Sequence, residues 1–199
     1  MSDTFSFKDL TLNYLHSEFP QVRANERTVE VPIVMHYINK YRGKRILEVG
    51  NVIAQYYTIP HTVVDKYDIS ANVINEDIVD FWPEDRFDLI FSISTLEHVN
   101  LDKSIEVFYA KKSVKALSRM KQLCEVGGLI LVTIPFGFNK SLDKLIMDGE
   151  ITFNQTVCLK RIGYSEWVEV PYREAVTVSY SSPYPAANAI LVGFIGGNI

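Results

Sequence analysis

Residues 46–57 read ILEVGNVIAQYY. Ile46, Leu47 and Val49 form a short apolar run around the acid Glu48, and Gly50 closes it. That is how a buried strand enters a nucleotide-binding loop. A second glycine would be expected two positions further on, but Val52 stands there. A β-branched residue excludes most positive φ values, whereas glycine adopts them freely. The loop alone leaves the fold open, so the surrounding pattern has to decide it. Three more runs of the same character follow: HTVVD (61–65), FDLIFSI (87–93) and GLILVTI (128–134). A shorter one, VINED (73–77), lies between the second and third of the four. Their hydrophobicity is continuous, which implies cover on both faces, as in a parallel sheet between helices.

Helical patterns supply that cover. EVPIVMHYINKY (30–41) puts Ile33, Val34, Tyr37, Ile38 and Tyr41 on one face. Pro32 is tolerated in a first turn, and Gly43 suits the end of that helix. In SVKALSRMKQLCEVGG (113–128), Val114, Leu117, Met120 and Cys124 share a stripe, with Gly127-Gly128 as the expected stop. Alternating strands and helices predict an α/β, doubly wound, mostly parallel sheet with helices on both faces. Residues 1–28 read as short helices and loop. Beyond residue 138 the character changes. KSLDKLIMDG (140–149) reads as a short helix, and ITFNQTVCLKRI, SEWVEV and NAILVGFI read as β-rich segments separated by turn residues. No linker divides the chain. It is expected to form one domain, 1–199, with an N-terminal helical segment (1–42), a binding core (43–138) and a C-terminal helix and strands (139–199).

Composition narrows the function classes. The chain has 199 residues, 47% hydrophobic and 22% charged, with a formal net charge of −4. An acidic balance argues against nucleic acid as the main partner, since phosphate neutralisation needs a basic surface. The two cysteines, Cys124 and Cys158, are far apart and read as small buried residues. Four scattered histidines show no zinc spacing, so no metal is expected. The N-terminal MSDTFSFKDL lacks an apolar export segment, and no stretch approaches a membrane span. A cytoplasmic protein is expected.

Ligands of open parallel sheets bind beyond the carboxyl ends of the strands. Glu48 and Gly50 follow the first run, Asp65 the second, and Asn75, Glu76 and Asp77 the short third. Ser92, Ser94, Thr95, Glu97 and His98 lie at the end of the fourth. A carboxylate at the position of Asp65 can accept both hydroxyls of a ribose. Asp77 can accept an exocyclic adenine amine, with Ile78 covering the ring. Taken singly, each acid also reads as a strand or helix cap.

The ordered set resembles the class I S-adenosylmethionine-dependent methyltransferases over roughly residues 30–138. ILEVG looks like their first motif, VVDKYD the second, NEDIVDF the third, FDLIFSISTLEHV the fourth, and LCEVGGLILVTIP the last strand with its helix. The wording EVGN…HTVVDKY…NEDIVDF also resembles a branch linked to glycan biosynthesis. The resemblance implies a Rossmann-like, seven-stranded sheet with an antiparallel C-terminal strand, here NAILVGFI. It implies S-adenosylmethionine as cofactor and S-adenosylhomocysteine as product. Glu48, Gly50 and Asn51 would lie near the methionyl part. Asp65 would hold the ribose and Asp77 with Ile78 the adenine, with Lys66 also among the cofactor-binding residues. Ser92 and Ser94 would line the methionine side. Glu97 and His98 would stand at the mouth of the acceptor pocket as the catalytic candidates. The acceptor would be a small molecule or glycan intermediate, methylated by in-line displacement.

Val52 is the departure from this family pattern. Either the loop takes an ordinary conformation, with Asn51 making a left-handed turn, or the pocket is closed and the chain is a non-catalytic binding or scaffold module. The acids kept in register at the other positions favour the first. The rivals lack their signatures: there is no GxGxxG, no GK[ST] and no GxSxG. If the acceptor is a hydroxyl, His98 is the preferred base, because an imidazole titrates near neutrality. Glu97 would orient it or replace it if desolvated. Arg23, Asn25, Glu26 and Arg27 could reach a cofactor carboxylate or an acidic acceptor, but read more simply as solvated turn residues. The tyrosines and tryptophan of GYSEWVEVPY and SYSSPYPAAN could stack on a sugar, though edge strands and cores use such residues too.

Overall fold

The computed structural model describes residues 3–15, 25–99 and 106–197, with side chains described from residue 111 in the last segment. Within these, eight strands form one sheet in the order β5-β4-β3-β6-β7-β10-β8-β9. The central strands are β3 (Ile46–Val49), β4 (Thr62–Asp65), β5 (Ile74–Asn75), β6 (Phe87–Ile93) and β7 (Cys124–Pro135). These five are parallel to one another. β8 (Gln155–Gly163), β9 (Glu166–Val170) and β10 (Ala189–Gly196) complete the sheet. β10 runs antiparallel between β7 and β8. β9 forms a hairpin with β8, which makes the sheet one strand wider than the seven expected.

The continuous apolar runs are explained by cores on both faces of the sheet. On one side, Leu89, Phe91 and Ile93 of β6 and Leu129 and Leu131 of β7 pack with Ile33, Val34, Tyr37 and Ile38 of helix α1 (Arg27–Lys40). On the other, Ile90, Ile130, Val132 and Ile134 pack with Leu117 and Met120 of α2 (Glu106–Leu123) and Leu142 and Leu145 of α3 (Lys140–Met147). Fully burying such side chains stabilises the fold by about 1.5–3 kcal/mol each. A one-turn helix, α4 (Tyr172–Ala175), lies between β9 and β10.

Two expectations need correction. The N-terminal segment opens not with short helices but with a β-hairpin, β1 (Thr4–Phe7) and β2 (Leu10–Asn13). Phe5 and Phe7 alternate with Thr4 and Ser6, so one face of the ribbon is buried, and Phe7 meets Phe194 of β10 at 6.4 Å between ring centroids. Gly127-Gly128 does not stop α2. The helix gives way directly to β7 at Cys124, and Gly127, at φ +82°, lies within that strand. Among the described residues no helix is long and apolar enough to cross a membrane.

The order of the strands positions the site. From β3 the chain moves outward through β4 to β5, then returns to the opposite side of β3 as β6. A crevice opens at such a switch point, beyond the strands' carboxyl ends. The crossovers around it are thin. Only a 3-10 turn, Ile53–Gln55, stands between β3 and β4.

Candidate functional site

A cavity of about 230 Å³ lies at this switch point. Val49 and Gly50 follow β3 into its wall, Val64 and Asp65 end β4, and Asp77 and Ile78 follow β5. Ser94, Thr95 and His98, which follow β6, close the other end.

The loop without a second glycine is held from below. Glu48, fully buried, accepts the N–H groups of Val52 and Ile53 with one carboxylate oxygen, at 2.8 and 2.9 Å. Its other oxygen meets Nε2 of His61 at 2.7 Å, and Nδ1 of His61 faces the carbonyl of Ile59 at 2.9 Å. A carboxylate and a carbonyl both accept, so the arrangement favours a ring that donates from both nitrogens, the imidazolium. Burial opposes that charge, but the hydrogen bonds to Glu48 and Ile59 outweigh it and raise the His61 pKa. The left-handed turn is made by Gly50, at φ +91°, not by Asn51. Val52 has φ −105° and ψ −45°, an ordinary right-handed conformation. Asn51 instead clasps the next loop, donating to Asp68 at 2.7 Å. Ile53 lies in the core rather than in the cavity wall.

At the far end, Asp65 accepts the N–H groups of Tyr67 (2.7 Å) and Asp68 (2.9 Å) with one oxygen, Oδ1. Asp77 meets Lys112 at 2.5 Å and Lys66 at 3.3 Å through the same oxygen, Oδ2. Burial disfavours the charge of Asp77, but Lys112, the Val79 amide and Lys66 prevail and lower its pKa. This end can therefore offer carboxylate oxygens to a diol and an amine beside the apolar face of Ile78.

Comparison with solved structures places this architecture. The N-methyltransferase NodS from Bradyrhizobium japonicum WM9, in complex with S-adenosyl-L-homocysteine, superposes with a TM-score of 0.54. Identity is 13%, over 87% of this chain and 88% of that one. A second structure of NodS superposes with a TM-score of 0.51 at 13% identity, over 87% of this chain and 97% of that one. The chain has the class I methyltransferase fold. No protein-family model matches the sequence, and no curated protein matches it.

Within the methyltransferase fold, the residues singled out from sequence divide into two groups. Gly50, Asn51, Asp65, Lys66, Asp77, Ile78, Ser94 and His98 share the cavity wall. Glu48, Ser92 and Glu97 do not. The carboxylate of Glu48 is committed to the loop and to His61, as described above. Ser92 is buried within the central strand β6 and donates to the carbonyl of Val49 at 2.9 Å. Glu97 lies behind His98, 1% exposed, with Oε1 3.8 Å from His98 Nε2. Burial pushes its pKa well above the ordinary value. His98 is half-exposed, and burial together with Arg27 lowers its pKa. Its ring meets that of Phe138 at 4.6 Å.

The sequence reading missed a polar cluster at the start of α1. Glu26 and Glu30 are buried, and Arg27 pairs with Glu30 at 2.5 Å, so Glu26 and Arg27 are not solvated turn residues. Asn25 accepts the Arg27 N–H at 3.0 Å, and Arg23 lies outside the described residues. Ser94, at φ +40°, donates to Glu30 at 2.6 Å and ties the cluster to the cavity. The spacing of the helix contained a signal: Glu30 precedes Ile33, Val34 and Tyr37 by three, four and seven residues, which puts it on the buried face. Among the C-terminal aromatic residues, Trp167, Tyr164 and Tyr184 surround Arg161, whereas Tyr180 packs edge-on against Phe138 at 5.0 Å.

Proposed function

We propose that the chain is a methyltransferase that binds S-adenosylmethionine in the cavity at the switch point and methylates a small molecule or glycan intermediate. The observation that carries this reading is the convergence of Asp65 and Asp77, from the ends of different strands, on one cavity also walled by Gly50 and Ile78. The donor set suits an adenosine. Asp65 retains an oxygen for the ribose hydroxyls, and Asp77 with Ile78 suits the adenine amine and ring. Gly50 and Asn51 would face the methionyl portion, which directs the reactive end toward Ser94, Thr95 and His98.

When bound, the cofactor supplies a methyl group on a sulfonium, already a good leaving group. The protein's task is then to position the acceptor and exclude water. A lowered pKa keeps His98 neutral near pH 7, able to take a proton from an acceptor hydroxyl. Glu97 behind it fixes the ring or serves as the base itself, since desolvation strengthens a carboxylate as a proton acceptor.

A binding protein without catalysis is the rival reading. The observation on its side is the pair Lys66 and Lys112, which cover an oxygen of Asp77. Calorimetry with S-adenosylmethionine and S-adenosylhomocysteine separates the two. Micromolar binding supports the enzyme, and no binding at millimolar concentration removes it.

A further inference from the structure

The Ser94–His98 end of the cavity backs onto an unusual set of buried charges. Glu26, Glu30 and Glu97 are each at most 8% exposed, against one guanidinium among the described residues, that of Arg27. Two of these acids are neutralised or satisfied locally. Glu30 has Arg27 and Ser94, and Glu26 accepts the Ala187 amide at 3.1 Å. Glu97 differs. Neither of its carboxyl oxygens accepts a hydrogen bond from another described residue, although the side chain is sealed from solvent. A buried carboxyl left without donors costs stability.

The cluster touches the cavity at two points, Ser94 to Glu30 and His98 to Glu97. Aromatic rings stand beside it: His98 on Phe138, and Phe138 on Tyr180. Burial raises the pKa of the Tyr180 hydroxyl, and the charges of Glu26 and Glu97 add to it, so this ring lies within the field of the same acids.

Resting on the methyltransferase reading, we propose that the acceptor is an amine that arrives as an ammonium ion, with Glu97 as the carboxylate that receives it. A cation there balances the acids of the described cluster and gives the Glu97 oxygens donors. An ammonium becomes a nucleophile only after losing a proton. The Glu97 carboxylate takes that proton and leaves the nitrogen lone pair to form the new N–C bond, while the pair of the broken C–S bond leaves with sulfur. Burial raises the pKa of Glu97, the charges of Glu30 and Glu26 add to it, and its own amide and Arg27 oppose more weakly. A carboxyl raised in this way is a stronger base than an ordinary one.

Sinefungin provides a probe that needs no knowledge of the acceptor. It is an adenosine analogue with a C–NH3+ group in place of S–CH3+, so it presents an ammonium where the methyl would point. Calorimetry should show wild-type protein binding sinefungin at least about 10-fold more tightly than S-adenosylhomocysteine, as expected of a charged hydrogen bond. In Glu97→Gln that preference should fall to near parity, with the S-adenosylhomocysteine affinity unchanged within about threefold. If S-adenosylhomocysteine binds but sinefungin gains nothing in the wild type, or the preference survives in Glu97→Gln, the amine assignment is wrong and the cofactor site stands. If S-adenosylhomocysteine does not bind at all, the methyltransferase reading fails and takes this inference with it.

Discussion

Replacing Glu48 by glutamine should change how stability depends on pH more than it changes stability itself. In the wild type, the carboxylate holds two loop amides with one oxygen and the His61 imidazolium with the other. The His61 pKa is raised above 6.5 in the fold. Its contribution is therefore complete below pH 6.5 and is lost as the pH rises through the folded value. In Glu48→Gln the amide oxygen still accepts from Val52 and Ile53, and the NH2 group can donate to a neutral His61 that keeps its Nδ1 proton for Ile59. The variant then needs His61 neutral, so its contribution is lost in the other direction, as the pH falls below 6.5. The gap between the two proteins should shrink with rising pH, with a slope approaching about 1.4 kcal/mol per pH unit for one proton. For a chain of this length that is about 3–6 °C in Tm per unit. Glu48→Ala, by contrast, strands two buried amides and an imidazolium. It should lose roughly 3–5 kcal/mol, about 6–20 °C. Thermal unfolding from pH 5.5 to 8.5 reads all three proteins. Taking the difference between wild type and Glu48→Gln cancels the contributions of Glu97 and Asp143, whose raised pKa values also couple stability to pH. Parallel wild-type and Glu48→Gln curves would show that His61 is not the titrating cation.

Two further substitutions test the cavity wall. A Cβ at Gly50 would stand 2.3 Å from Oγ1 of Thr95 and force a positive φ on alanine, so Gly50→Ala should cost roughly 2–5 kcal/mol. Adding Thr95→Ala should recover only the steric part, and complete recovery of Tm by the double variant would show that the backbone conformation carries no strain. Asp65→Asn keeps an oxygen for the Tyr67 and Asp68 amides but removes the second acceptor, so the fold should hold while S-adenosylhomocysteine affinity drops about 10- to 100-fold by calorimetry. Unaltered affinity would remove Asp65 from the ribose site.

The central sheet was legible because a strand covered on both faces has to be apolar at nearly every position. FDLIFSI spans β6 residue for residue, Phe87–Ile93. The N-terminal hairpin was harder to see, because strands of four residues carry too few alternations to stand out, even with Phe5 and Phe7 facing the same way. Within the site, the acids at the ends of strands were readable, but their employment was not. Glu48 sits inside an apolar run, which says that it is buried and must be paired. The partner, His61, begins the next run, and only the parallel register that sets Glu48 beside Val63 brings the two together. Ser92 and Ser94 looked equivalent as neighbours at the end of one strand. The backbone separates them: Ser92 is spent on Val49 inside the sheet, and the left-handed turn at Ser94 carries that hydroxyl over to Glu30.

The missing glycine shows how a loop can change without closing its pocket. A second glycine permits positive φ and close approach of the backbone to a ligand. Here one positive φ, at Gly50, already completes the turn, and Thr95 packs into the space a side chain there would need. Val52 then asks for nothing unusual, and its own side chain fills the wall beneath the cavity at 8% exposure. The change has a cost in chemistry rather than in shape. The amides of Val52 and Ile53 turn inward to Glu48, so they are not offered to a ligand. The loop thus contributes contour, while polar side chains of its neighbours line the cavity: Asp65 and Asp77 at one end, Ser94 and His98 at the other. The integrity of the site then depends on the Glu48–His61 pair below the loop. A disturbance of that buried pair should reach the cavity even though neither residue lines it.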